Sequence, residues 1–252
     1  MTDRPVHRSA RIGGVPATAA RIGTLREKPL HASLKRWYAQ AGDRVEVLVD
    51  GYVIDLVRDD LLIEVQTRGF SSMRPKLAYL LERGHPVRVV HPIALERWIV
   101  RVDADGAVLD RRRSPRHGQP SDLAAELVSF PGLLAHPRFE LEVLLTREEE
   151  LRHQVEGRCW RRRGWTVIER RLLDVVDRIA LAGPEDLALL LPDGLPDRFT
   201  TADLAQRLGR SRRVAQQLAY CLRLVELIEP VDRRGRVIEY RVRAGGADPD
   251  RG

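Results

Sequence analysis

The densest chemistry in the chain lies in residues 51–67, GYVIDLVRDDLLIEVQT. Asp55 sits between Ile54 and Leu56, and Glu64 sits between Ile63 and Val65. In an extended strand, alternation puts Glu64 and Gln66 on one face. The polar turn Arg58-Asp59-Asp60 folds the strand carrying Glu64 back beside the strand carrying Asp55. The two carboxylates then become cross-strand neighbours. Carboxylates so close repel, and burial raises the cost. A divalent cation relieves both effects. Mg2+ (or Mn2+) prefers oxygen ligands, activates water and stabilises charge on a phosphoryl group. The alternative is a plain sheet in which Asp55 and Glu64 pair with Arg58 or Arg68.

The elements that must hold these residues are legible around them. Leu25, Leu30, Leu34, Trp37 and Tyr38 recur at helical spacing, with Gly42 as the stop. Val45, Val47 and Val49 alternate as a first strand, and Asp50-Gly51 marks a hairpin. Tyr52 to Val57 and Leu61 to Thr67 are the second and third strands. Ser71 to Gly84 reads as a helix with Pro75 in its first turn, and residues 86–92 (PVRVVHP) as a short buried strand. A helix between the third and fourth strands makes them parallel. The expected fold class is α/β with a mixed sheet.

That order, with Asp55 followed across a short turn by Glu64-x-Gln66, resembles the PD-(D/E)XK superfamily, the restriction-endonuclease-like and Holliday-junction-resolvase-like nucleases. The likeness rests on a short, degenerate motif and covers residues 24–92. It implies that Asp55 and Glu64 ligate Mg2+ or Mn2+ and that Glu27, on the first helix, assists as a further ligand. It places Gln66 where the family usually carries lysine. Glutamine cannot carry charge, and a lysine reaching back from the next helix is the substitute. Lys76 is on that helix. It is one of only three lysines, with Lys28 and Lys35, against 40 arginines. His31, four residues after Glu27, falls on the same helical face.

Other chemistries find no support. The histidines show no paired spacing of a metal site or a Ser-His-Asp triad, and no phosphate-cradling glycine loop is present.

Beyond residue 92 the expectations are a hairpin of Trp98–Val102 with Val108–Arg111, a basic loop to Gln119, a short helix over Ser121–Ser129 and a strand over Phe139–Leu145. Thr146 then reads as the cap of an acidic start at Glu148-Glu149-Glu150. Leu172, Leu173, Val175, Val176 and Ile179 read as a helix. Two further helices open at Thr200 and Ser211, and a hairpin follows around Arg233-Arg234-Gly235-Arg236. Three helices and a hairpin resemble a winged helix-turn-helix, a second, smaller domain. Its candidate DNA contacts are Arg210, Arg212, Arg213, Gln216 and Gln217 on the last helix and Arg233, Arg234 and Arg236 on the hairpin.

The expected division is a flexible basic arm (1–21), a restriction-endonuclease-like domain (22–150), an Arg/Trp-rich connector (151–171), a winged-helix domain (172–243) and a disordered tail (244–252). The 252 residues carry a net charge of +7 and a pI near 10.0. Arginine is so favoured throughout that its placement matters more than its number. No apolar run suits a membrane span, no secretory leader is visible, and two cysteines make no disulfide framework. A cytoplasmic, DNA-cleaving protein is the expectation, with a homodimer as one arrangement for cutting both strands. A DNA-binding regulator on an inactive nuclease-like core is the alternative.

Overall fold

The computed structural model describes residues 28–130, 132–155 and 164–243. The basic arm, Glu27, the centre of the connector and the tail lie outside the described residues.

Helix α1 (Pro29–Tyr38) starts on a proline whose missing N–H costs nothing at a helix N-terminus. It ends at Ala39, earlier than Gly42. Strands β1 (Arg44–Val49), β2 (Tyr52–Arg58) and β3 (Leu61–Val65) form an antiparallel meander. The hairpin between β1 and β2 turns on Asp50 and Gly51, at φ 48° and 86°. Two successive left-handed residues match the right-handed twist of the strands they join. Helix α2 (Arg74–Glu82) crosses over, and β4 (Val87–Val102) returns parallel to β3.

Four sequence expectations need correction. The short strand at 86–92 and the strand at Trp98 are one element: β4 runs 16 residues. Its first half lies between β3 and β6 (Phe139–Gln154), and its second half pairs with β5 (Val108–Arg113) as well as β6. The expected third strand ends at Val65, so Gln66 lies just past it. There is no acidic helix start at Glu148. Strand β6 continues to Gln154, with Glu148 and Glu150 buried against Arg97, Arg152 and Arg170. Residues 172–179 are not helical but lie in β7 (Trp165–Leu181), antiparallel to β6. The described ends of the expected connector are therefore sheet.

The result is a mixed α/β fold with a seven-stranded sheet in the order β1-β2-β3-β4-β6-β7, β5 joining at β4. Helix α1 covers one face, where Leu30, Leu34 and Tyr38 pack on Leu56, Ile63, Val65, Val90 and Leu144. Helix α2 and the short α3 (Ala124–Leu127), with the helical turn before it, cover the other through Leu77, Leu80, Leu123 and Leu127.

The same core runs on into the C-terminal part. That part holds β8 (Phe199–Thr200), α4 (Thr201–Leu208), α5 (Arg212–Leu224), β9 (Ile228–Arg234) and β10 (Val237–Val242). A second, three-stranded sheet has the order β8-β10-β9. Thr200 caps α4, accepting from the amides of Ala202 and Asp203, while Asp203 returns a bond to the Thr200 amide. This reciprocal box is the usual start signal. Among the described residues no helix is long and apolar enough to cross a membrane.

Candidate active site

Asp55 is near the middle of β2, opposite a defect in β1. The β1–β2 ladder pairs Val47 with Ile54 and Val45 with Leu56, but skips Glu46 and Asp55. Glu46 has a left-handed backbone, φ 53°, which is strained for a residue other than glycine. The β2–β3 ladder likewise stops at Leu56–Ile63, one step short of Asp55 and Glu64. The carboxylate of Asp55 fills the gap: its Oδ2 accepts from the Val65 amide at 2.9 Å and from His31 Nε2 at 3.1 Å. Both bonds use Oδ2, so among the described residues Oδ1 accepts no hydrogen bond.

Glu64, on β3, is buried. Lys76 reaches back from α2, its Nζ 2.6 Å from Glu64 Oε1 and 2.7 Å from the Val53 carbonyl. The structure thus brings Asp55, Glu64, His31 and Lys76 to one place. Neither carboxylate pairs with Arg58 or Arg68; Arg58 is held by Asp43.

The electrostatics of the two acids diverge. Burial pushes the Glu64 carboxyl up to about 7; the Lys76 ammonium opposes the rise and the Asp55 charge adds to it. For Asp55, burial also works upward, but the His31 and Val65 hydrogen bonds and the charge of Lys35 hold it below its ordinary value. One acid is fixed as an anion, and its neighbour is charged only at a cost.

Gln66 stands differently from its expected place. Its side-chain nitrogen donates to the Gly69 carbonyl at 3.2 Å, which turns it toward the following loop. Its amide donates to Val90 and its carbonyl accepts from His91 Nδ1 at 2.7 Å. His91 is buried beside Phe70, and desolvation lowers its pKa. Glu126 fixes the same loop, accepting from the amides of Gly69 and Phe70. Sequence reasoning passed over His91 and Glu126. The only signal was a polar residue in an apolar strand and an acid on a short helix. Glu27 lies outside the described residues.

Two carboxylates, one with an oxygen unpartnered among the described residues and one destabilised as an anion, suit a small hard cation. Among the described residues no group of three or more His, Cys, Asp or Glu side chains converges as a metal site. The fit therefore rests on Asp55 and Glu64, with water completing the set.

The expected DNA contacts divide. Arg212, Arg213 and Gln216 are exposed along α5 and Gln217 is half-buried; Arg233, Arg234 and Arg236 are exposed at the tip of the β9–β10 hairpin. Arg210 is turned inward, its Nη2 bonded to Asp122 at 2.8 Å and to the His117 carbonyl at 2.6 Å. It anchors the start of α5 to the main sheet's loops. Cys221 is buried in α5, and desolvation pushes its thiol up to about 12, which leaves it unreactive.

Residues 28–182 match a family model described as "Domain of unknown function (DUF8091)". A Treponema pallidum (strain Nichols) protein, described as "Uncharacterized protein", is 31% identical over 221 residues, covering 87% of each chain. No solved structure matches.

Proposed function

This chain belongs to the DUF8091 family, and we propose that it is a metal-dependent endonuclease that hydrolyses phosphodiester bonds in DNA. The core would be restriction-endonuclease-like: α1, the β1–β3 meander, α2 and parallel β4 follow that family's order. The C-terminal helices and hairpin would act as a winged helix-turn-helix on the DNA.

The observation that carries the reading is the nearness of Asp55 and Glu64, close enough for the charge of one to act on the other, at the point where both β2 ladders lapse. A buried carboxylate raised to about 7 is expensive to keep and is typical of a working site. Asp55 and Glu64 would hold Mg2+ or Mn2+, with Glu27 as a further ligand. When bound, such an ion lowers the pKa of water and offsets charge on the phosphoryl oxygens. Lys76, ion-paired to Glu64, would face a phosphate oxygen. His31 orients Asp55. Gln66 would position water only after releasing Gly69.

Asp55→Asn or Glu64→Gln should lower Mg2+-dependent cleavage of DNA by about 100-fold or more, the usual scale for losing an electrostatic catalytic group. DNA affinity should stay within a factor of a few. Equal loss of cleavage and affinity would sink the assignment.

The turned-away amide of Gln66 favours a second reading, a DNA-binding regulator on an inactive nuclease-like core. A panel of duplex, branched and single-stranded substrates with each metal separates the two. Binding without cleavage on every substrate supports the regulator.

A further inference from the structure

We propose that a groove walled by Lys28, Arg68, Arg112 and Arg116 is the track for the phosphodiester backbone of a nucleic-acid strand. The proposal rests on the reading that the chain acts on nucleic acid. It moves the main binding surface from the C-terminal helices to the large sheet.

The groove is a cleft of about 750 Å3 between the start of α1, the loop after β3, β5 with its following loop, and β6–β7. Seven lysine and arginine side chains line it, against only Glu150 and Glu169. The seven are not equivalent. Arg97, Arg152 and Arg170 are committed to Glu148 and Glu150 and form a neutralised floor. Lys28, Arg68, Arg112 and Arg116 are exposed and make no ion pair among the described residues. They come from three separate segments, the start of α1, the loop after β3 and β5 with its following loop, so folding gathers them. Gathering like charges without partners costs stability, and a polyanion removes that cost.

The dimensions favour a strand over a small anion. A single phosphate is met by a few donors converging on one point, whereas these cations line a cleft of about 750 Å3, far larger than one phosphate. A second cleft of about 730 Å3 shares Thr67, Arg97, Pro115 and Arg116 with the first. It continues past His91 and His117 to Gly209, Arg210 and Ser211, at the start of α5. Thr67, Arg68 and Leu30 in the lining of the first cleft are chain neighbours of Gln66 and His31, and the second cleft carries the track on to the C-terminal helices. Phosphate contacts of this kind position a strand without reading its bases.

The test is binding of labelled single-stranded and duplex DNA to the full chain in EDTA, by fluorescence anisotropy across a KCl series. Arg68→Ala, Arg112→Ala and Arg116→Ala combined should weaken binding by about 10-fold or more at moderate salt. The slope of log affinity against log salt should fall by about 2 to 3, as expected for three lost phosphate contacts. The control combines Arg36→Ala and Arg44→Ala, both exposed and outside the groove, and should keep the wild-type slope. A steeper loss on single strands assigns the groove to one strand; an equal loss assigns it to duplex. Wild-type affinity and slope in the triple variant, or the same loss in the control, would overturn the proposal. Because binding is read without metal, a chain that binds through the groove but never cuts overturns only the nuclease reading. A chain that cuts with no groove dependence overturns only the track.

Discussion

Glu64 is held where its charge is least welcome. Its carboxyl is raised to about 7 in the folded chain, above the ordinary value of 4.5. In that interval the folded chain keeps a proton that the unfolded chain has lost. The group's contribution to stability is therefore fully present below about pH 4.5 and is lost as pH rises toward 7. Glu64→Gln has no proton to lose. Urea melts at pH 4.5 and 7.5 should show wild type losing about 1–3 kcal/mol more than the variant over that range. An identical pH dependence in both would mean that Glu64 is not destabilised by burial. Glu150 has the opposite sign. Burial works to raise it, but Arg152 and the charges of Arg97 and Arg170 hold it low. Its contribution is present at neutral pH and is lost on acidification.

Glu126 is a positioning residue of another kind. Its carboxylate bonds the amides of Gly69 and Phe70 at 3.0 and 2.9 Å, where the loop after Gln66 enters the helical turn Phe70–Met73. Glu126→Ala removes both bonds, leaving Gly69 to water and the half-buried Phe70 amide short of a partner, and should cost about 0.5–1.5 kcal/mol in a thermal or urea melt. Asp55 and Glu64 were visible in the sequence because charges inside apolar strands are conspicuous. The partners His31 and Lys76 were visible only as residues on the correct helices. The lapse at Glu46 opposite Asp55 was not visible, because nothing in the residue types around it announces a left-handed backbone.

Among elements, the meander and its Asp50-Gly51 turn were legible because turn chemistry and alternation agree there. Strand β7 was not, and the reason is geometric. Its ladder to β6 carries three register shifts, each leaving one β7 residue unpaired: Ile168, Leu173 and Val176. All three are exposed. Each extra residue resets the alternation, so Leu172, Val175 and Ile179 point inward at spacings of three and four, which imitates a helical face. The bulges also roughen a strand at the sheet's edge, a known defence against edge-to-edge pairing. Similarly, Glu148 and Glu150 looked like a helix start because Arg97 and Arg170, which pair with them, lie on β4 and β7. Gly118 shows how closely elements approach. A Cβ there would meet the Ala94 carbonyl at 2.5 Å and Ile93 Cγ2 at 2.8 Å. Gly118→Ala should destabilise the fold by about 1–3 kcal/mol by displacing the loop after β5 from β4.

For the whole molecule, one apolar core joins the large sheet to the C-terminal helices, from Ile54 and Leu77 through Leu187 to Leu204, Leu218 and Tyr240. Arg210 adds a polar tie across the same junction. The C-terminal part should therefore unfold with the sheet. Fluorescence of the four tryptophans, of which Trp37, Trp98 and Trp165 lie around the sheet, and far-ultraviolet circular dichroism should give coincident urea transitions. Two separated transitions would show that the parts are independent.

The central claim is that Asp55 and Glu64 together hold one divalent cation. Mn2+ binding followed by electron paramagnetic resonance, at fixed pH above 7 and without nucleic acid, addresses it directly. The account predicts one bound Mn2+ per chain in wild type, displaced by Mg2+ and lost in both Asp55→Asn and Glu64→Gln while each variant still melts cooperatively. No bound Mn2+ in wild type, or the same binding in all three proteins, would contradict it.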